Sequence, residues 1–379
     1  MKDKRLTSFL FAAVLLTLTS TAIASTTWYV NGVSGSDSND CKSSTTACKT
    51  VGHAISLAAS GDSIRVAPAT YIENLTIGIS LKILGSGAQT TVLDGGRVGR
   101  VVTISKHVQV TLSGVTITNG IWSGIVGSGG GIFNSGTLTL VTSTLTGNSA
   151  GTFCEFSCTG AGGGISNAVG AHLTIRNSTV SGNEAELVGC SSPSCYTKGG
   201  GIYNLGTLAL SNSTVSGNVL FRGFPEGGGI YNSGVATISN STISGNSAVY
   251  FGQGYGGGIG NIYGMVTLQN SIVANNSDDN CHGTMSSNGY NLSSDATCNF
   301  TSTGDLNNTD PVLGPLQYNG GPTQTMALPS GSPAVDAGNP NGCTDALGHL
   351  LTTDQRGQPR PGKQDTGGCD MGAYERQSD

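Results

Sequence analysis

The side chains that could act on a substrate are few enough to name. Charged residues make up 10% of the 379, against roughly a quarter in an ordinary globular chain. Asp278-Asp279 with His282-Gly283 supplies the residue types of glycoside hydrolysis, which needs carboxyls converging across a glycosidic bond. The acidic pair and the histidine are crowded into one short stretch around Cys281, so the spacing favours a solvated, disulfide-held loop. Glu184, Glu186 and Glu226 could offer oxygen ligands to Ca²⁺, with Lys198 or Arg222 as the base of a β-elimination from a uronate. Those acids are loosely spaced, and the glycine-rich calcium-binding repeat is missing. No catalytic residue and no metal ligand is therefore assigned, and Ca²⁺ is expected only if the chain is a polysaccharide lyase.

Aromatic side chains offer a second chemistry, stacking on sugar rings or on a partner surface. They concentrate in four stretches, at about residues 149–161, 184–198, 219–226 and 247–255. These hold Phe153, Phe156, Tyr196, Phe221, Phe224, Tyr250, Phe251 and Tyr255. Phe133, Tyr203 and Tyr231 each follow an Ile that should point inward, so strand alternation turns them outward. The expectation is an aromatic-lined ligand-binding face; the competing reading is that these rings pack the loops against one another.

Both sets hang on a repeat. Gly-Gly-Gly-Ile opens five units, at Gly129, Gly162, Gly199, Gly227 and Gly256. Each continues through a variable residue and Asn, a glycine turn, a Thr-Leu-Thr-Leu-like run and an Asn-Ser-Thr-Val-Ser-Gly-Asn-like close. Apolar positions alternate within the runs and recur between units. Leu138, Leu173, Leu208, Ala236 and Val266 make one column, and Leu140, Ile175, Leu210, Ile238 and Leu268 the next. Ile117, Leu145, Val180, Val215, Ile243 and Val273 make a third. A unit that buries one or two side chains per strand cannot fold alone, so the units must stack as coils. Asn134, Asn167, Asn204, Asn232 and Asn261, with Asn148, Asn183, Asn218, Asn246 and Asn276, fall at the coil corners. There they can take left-handed conformations and hydrogen-bond along the stack. This explains the Asn-x-Ser/Thr matches at Asn177, Asn212 and Asn240 more simply than glycans do. Less regular coils are expected from Ser63–Val66, Leu75–Ile77, Leu81–Leu84, Val101–Ile104 and Val108–Leu112. The variable stretches recur once per coil and should line up along one side.

The ends differ from the middle. Lys2, Lys4 and Arg5, the apolar run Phe9–Leu18 and Ala22-Ile23-Ala24 read as a secretory signal peptide over residues 1–24. The run is too short to span a membrane. Residues 25–62 read as an N-terminal cap, with Val51, Ala54, Ile55 and Ala58 at helical spacing behind a Thr50 N-cap in Thr50–Ser60. The helix covers a strand edge that would otherwise invite aggregation. Residues 63–277 form the coils and 278–379 an irregular tail. The rare tail charges Asp354, Arg356, Arg360, Asp370 and Glu375 are expected to pair and to seal the far end of the stack. Ten cysteines in close pairs, Cys41/Cys48, Cys154/Cys158, Cys190/Cys195, Cys281/Cys298 and Cys343/Cys369, point to disulfides in an exported chain. The connectivity of the middle four stays open. A net charge of −5 with sparse, scattered basic residues argues against nucleic acid as a partner.

The Gly-Gly-Gly-Ile repeats and four tail segments together resemble bacterial parallel β-helix proteins whose C-terminal region is a choice-of-anchor Q domain. The segments are Asn308–Pro311, Gly331–Gly338, Thr353–Pro361 and Cys369–Glu375. The start, from Trp28-Tyr29-Val30 through Cys48 to Tyr71, is similar to the cap region of the same pectin-lyase-like superfold. The resemblance implies a right-handed parallel β-helix and loops that wall a sugar-binding cleft. Such proteins are commonly displayed at the surface through a sorting signal after the tail. This chain stops four residues beyond Glu375 without one, so release or non-covalent association is expected. The function that follows is a secreted or envelope-associated binding or structural protein facing extracellular polysaccharide or a cell-surface component. The alternative is a polysaccharide lyase or glycoside hydrolase on the same scaffold.

Overall fold

A computed structural model describes residues 25–124, 127–153, 158–188, 195–248, 254–362 and 368–377. The signal-peptide assignment falls outside these residues. The described chain winds into a right-handed parallel β-helix with three long faces. Sheet I has ten strands, from Thr27–Val30 to Ser286–Ser287. Sheet II has nine, from Ala69–Ile72 to Leu292–Ser293, and sheet III has eight, from Leu75–Ile77 to Cys281–His282. All three are wholly parallel. Each coil runs from sheet III to sheet I to sheet II, as in Ile132–Asn134, Thr137–Val141 and Thr144–Thr146.

The columns read from the sequence are the register of the stack. Leu138, Leu173, Leu208, Ala236 and Val266 are successive partners, as are Leu140 through Leu268 and Ile117 through Val273. Every one of these side chains is at most 2% exposed. The core is therefore an aliphatic rod, each residue packing on its equivalents in the coils above and below.

At the corners the outcome is divided. The two asparagine rows do bond along the axis, Asn134 Nδ2 to Asn167 Oδ1 at 2.8 Å and Asn148 Nδ2 to Asn183 Oδ1 at 2.9 Å, and so on up both rows. They do not take left-handed conformations, however. Those belong to Gly147, Gly182, Gly217 and Gly245 just before the second row, and to Asn177, Asn212, Asn240 and Asn270 at the turn from sheet I to sheet II. Asn212 and Asn240 are buried, which suits a turn residue and excludes a glycan acceptor.

Helix α1, Val51–Leu57, lies across the first strands of sheets I and III. Thr50 caps it through His53 N–H at 3.2 Å. The Glu73 carboxylate accepts from Val51 and Gly52 N–H at 2.8 and 2.7 Å, satisfying amides a helix start leaves free. The helix ends at Leu57, short of the expected Ser60, because Ala58 N–H closes the last turn onto Ala54 and Ile55 carbonyls.

The tail corrects one expectation. Residues following Asp278 do close the far end, where Phe300 and the Cys281–Cys298 disulfide join the core. The charged cluster does not sit there. From Pro311 onward the chain turns back and lies along the outer face of sheet II. Thr179 Oγ1 donates to the Gln324 carbonyl, Thr214 Oγ1 to Gln355 Oε1, and Asn240 Nδ2 to the Thr344 carbonyl. Gln89 Nε2 meets the Gly321 carbonyl at 3.2 Å, near the other end of the stack. The physical reason is in the repeat: outward Thr and Ser side chains make sheet II a row of hydroxyls, and a polar strap satisfies them. Cys343–Cys369 closes the strap on itself. Cys41–Cys48 is also bonded, and Cys195 is in a disulfide; Cys154, Cys190 and the Cys158 side chain lie outside the described residues.

Glycine tests the closeness of the coils. A Cβ on Gly163 would lie 2.1 Å from the Glu184 carbonyl oxygen, whereas one on Gly151 meets nothing within 4 Å. Gly163→Ala should cost about 3 kcal/mol, the upper range for overpacking, and Gly151→Ala less than about 0.5 kcal/mol. Urea unfolding of the two variants measures this directly.

Candidate functional site

After four successive sheet II strands, Thr116–Thr118, Thr144–Thr146, Thr179–Ser181 and Thr214–Ser216, the chain leaves the coil, and the excursions stack on one another in register. They build two further parallel sheets of four strands. Sheet IV holds Ile121–Trp122, Ser149–Phe153, Glu184–Val188 and Val219–Phe221; sheet V holds Gly127–Ser128, Cys158–Ala161, Cys195–Lys198 and Phe224–Glu226. Ala185, Leu220 and Ala248 form a small buried core of their own beneath them. The strand character of these stretches was missed in the sequence, although Glu184-Ala185-Glu186-Leu187 alternates polar and apolar residues as a half-buried strand does.

Beside this wall, the outward column of sheet III runs Phe133, Ser166, Tyr203, Tyr231, Gly260 and His282. The Tyr203 and Tyr231 rings stack with centroids 5.2 Å apart. Lys198 reaches across from sheet V, 3.2 Å from the Tyr231 hydroxyl and 3.2 Å from the Glu226 carboxylate. Its ammonium also lies over the faces of Tyr196 and Tyr231, at 4.8 and 4.7 Å. At one end, the Arg100 guanidinium sits 3.6 Å from the Trp122 ring and 4.8 Å from Phe133, while donating to the Ser128 and Gly129 carbonyls. At the other end Tyr255 packs on His282, centroids 4.6 Å apart.

The row is therefore assembled, but it is not the bare platform expected. Tyr231 is only 4% exposed, because sheet V folds over the outward face and lays Lys198 on its ring. Phe133, Tyr203, Tyr196 and Phe224 are partly covered, and Tyr196 packs on Phe224 at 5.9 Å. Phe221 and Tyr255 stand clear, at 45% and 44% exposure. Tyr250 and Phe251 lie outside the described residues. Arg100, Trp122 and His282 were not read as part of this row; its register with the Gly-Gly-Gly-Ile strands would have placed His282 there.

The charges decide what chemistry is open. Burial pulls the Lys198 pKa down, but the Glu226 carboxylate and Tyr231 outweigh it and hold the ammonium above its ordinary range. A lysine so held donates hydrogen bonds and is a poor base. Burial lowers Arg100 to about 10, which still leaves it charged. The three glutamates named for calcium do not gather: Glu226 pairs with Lys198, while Glu186 pairs with Arg222 at 3.7 Å on sheet IV. Burial, reinforced by Glu186, raises the Glu184 carboxyl. Among the described residues, the one trio of His, Cys and acidic ligands close enough to share an ion is Cys41, Cys48 and His53, whose two sulfurs are bonded to each other.

Asp278 and Asp279 both occupy the left-handed region, with φ of 58° and 90°. Burial raises the Asp279 carboxyl, Asp295 adds to the rise, and His282 opposes it. Two consecutive non-glycine residues in this region are strained.

Solved structures similar to the chain include a pectate lyase, 16% identical with a TM-score of 0.46, covering 94% of this chain and 98% of that one. A rhamnogalacturonan lyase is 13% identical, TM-score 0.36, covering 71% and 73%. A pectin methylesterase from Erwinia chrysanthemi is 13% identical, TM-score 0.33, covering 72% and 90%. No protein-family model and no curated protein matches the sequence.

Proposed function

We propose that the protein binds an extended polysaccharide, or a cell-surface component bearing one, along the flank where sheet V meets sheet III. The observation that carries this reading is the axial row from Phe133 to His282. It places one residue per coil, four of the six with rings, at the coil spacing of about 4.8 Å, close to the length of one sugar unit in an extended chain, beside the one fixed ammonium of Lys198. Tyr255 at the end of the row and Phe221 on the adjoining sheet IV supply exposed faces for stacking, and Lys198, Glu226 and Tyr203 supply donors and acceptors at fixed positions. The disulfides fit an oxidising compartment, and no described helix is long and apolar enough to cross a membrane. Export through residues 1–24, the division at residues 62 and 277, and a tail of the choice-of-anchor Q type belong to the same proposal.

A glycan-array screen of residues 25–379 tests it. Phe221→Ala with Tyr255→Ala should lose the ligand at least tenfold with Tm unchanged. Tyr231→Ala should lower Tm, because it removes a buried ring that touches Tyr203 and Lys198. Full binding by the Phe221/Tyr255 variant would move the site elsewhere.

The strained pair Asp278-Asp279 beside His282 favours a second reading, a polysaccharide lyase or hydrolase acting at that end of the row. Incubating the protein with a polysaccharide panel should then release unsaturated or reducing ends, and Asp279→Asn should abolish the release. A panel without product excludes it.

A further inference from the structure

On the opposite edge of sheet III, at the turn into sheet I, three coils enclose a cleft of about 400 Å³. Its polar walls are Lys106, His107, Ser135, Thr137 and His172, and Val169 with two glycines completes it. No carboxylate lines it. In a chain with 22 Asp and Glu against 17 Lys and Arg and 5 His, a gathering of one lysine and two histidines departs from the scattered pattern elsewhere.

The cleft exists because two long turns flank a short one. Two residues separate the sheet III strand from the sheet I strand at Ser135-Gly136, but four do so on either side of it, at Ser105-Lys106-His107-Val108 and at Ala168-Val169-Gly170-Ala171. The long turns rise above the short one and leave the space between them. His172 is pinned at its lip, its N–H donating to the Gly136 carbonyl at 2.9 Å and its carbonyl accepting from Asn134 Nδ2 at 3.0 Å. His107 is held with φ of 65° in the left-handed region. The basic groups thus project from fixed backbone. Lys106, His107 and His172 take part in none of the ion pairs of the described residues.

We propose that this cleft is an oxyanion-binding site, taking a sulfate, carboxylate or phosphate group between Lys106, His107 and His172, with the Ser135 and Thr137 hydroxyls as further donors. Histidine as a residue type changes charge between pH 5 and 8, Lys106 supplies a standing positive charge, and the remaining lining residues, Ser135, Thr137, Val169 and two glycines, are neutral. The site therefore strengthens as the medium becomes mildly acidic. It is independent of the row on sheet III.

Titrating the chain with sodium sulfate by calorimetry at pH 5.5 and pH 8.0, at constant ionic strength, is the test, because sulfate keeps its charge over that range. Binding should be at least tenfold tighter at pH 5.5, and Lys106→Gln with His172→Gln should weaken it at least tenfold at pH 5.5 while Lys42→Gln leaves it unchanged. All three positions are exposed, so the variants should keep the parental Tm. A parallel titration with a carboxylated oligosaccharide separates a glycan-borne anion from a free ion. Absence of sulfate binding, equal binding by the double variant, or binding independent of pH would each overturn the proposal.

Discussion

Arg360→Ala should release the tail from the flank of the β-helix, at a cost of about 3–5 kcal/mol, the range for orphaning one partner of a buried ion pair. Arg360 and Glu375 are both completely buried and 2.8 Å apart. Arg360 also donates to Asn212 Oδ1 on the stack and to the Gly372 carbonyl. Glu375 accepts from Gly362 and Asp370 N–H. The pair thus ties two stretches of tail to a corner asparagine of the solenoid, and truncating the arginine leaves a carboxyl and two acceptors in a dry interface. Limited proteolysis should cut residues 311–377 first, with the coils intact. Cleavage at the parental rate would mean that the strap is held elsewhere.

The same cluster gives the tail an inverted pH response. Among the described residues, Asp354 and Glu375 pair with the Arg356 and Arg360 guanidiniums, and Asp370 accepts from the Asp336 and Arg376 N–H groups. Burial raises Asp370 to about 6 and Glu375 to about 7, the nearby Arg360 opposing in both. Folded-state values above the unfolded ones mean that the folded tail holds protons the unfolded chain has lost. Their contribution is whole below about pH 4 and is lost as pH rises through 6 and 7. Asp62, Asp295 and Asp345 are held below the ordinary range and act in the opposite sense, but only under pH 4. Protease sensitivity of the tail should therefore rise between pH 5 and pH 8. Glu375→Gln, which removes the upper titration, should flatten that rise.

How far the sequence carried differs by element. The aliphatic columns were legible because a parallel stack puts like residues on like residues, so the repeat states its own register. The placement of α1 was legible from Thr50 and the spacing of Val51 and Ala54. The inserts were not, since their strands pair only with other inserts, and the alternation in Glu184-Ala185-Glu186-Leu187 is too short to identify a strand by itself. Tyr231 shows the consequence: alternation correctly turned it out of the core, but alternation cannot report that Lys198, from a distant strand, would cover it. The strap was unreadable for a similar reason. Its partners are hydroxyls such as Thr179 and Thr214, whose availability on sheet II follows from stacking and leaves no mark in the tail.

The asparagine row is where the repeat should be most vulnerable. Asn183 is fully buried. Its amide donates to the Leu145 and Ser181 carbonyls and to Asn218 Oδ1, at 3.0, 3.2 and 2.9 Å. Its oxygen accepts from the backbone N–H and the amide of Asn148, at 3.2 and 2.9 Å. Asn183→Leu keeps the volume but leaves the buried Asn148 N–H without an acceptor, and takes one bond each from Asn148 Nδ2, which keeps the Ile117 and Thr146 carbonyls, and from Asn218 Oδ1, which keeps the residue-183 N–H. At about 1–3 kcal/mol for the orphaned N–H and about 0.5–1.5 kcal/mol for each further bond lost, the loss should be about 3–5 kcal/mol. Asn276 has the same set of partners but lies near the end of the stack and is only partly buried, so water can replace what Asn276→Leu removes, and the cost there should be less than half. Because coil stability is a sum of nearest-neighbour terms, the mid-stack variant should also raise amide exchange on both sides of the break, around Gly147 and Gly217, before the ends fray. Equal destabilisation by the two variants, or exchange confined to the ends, would show that the rods of aliphatic side chains alone hold the coils in register.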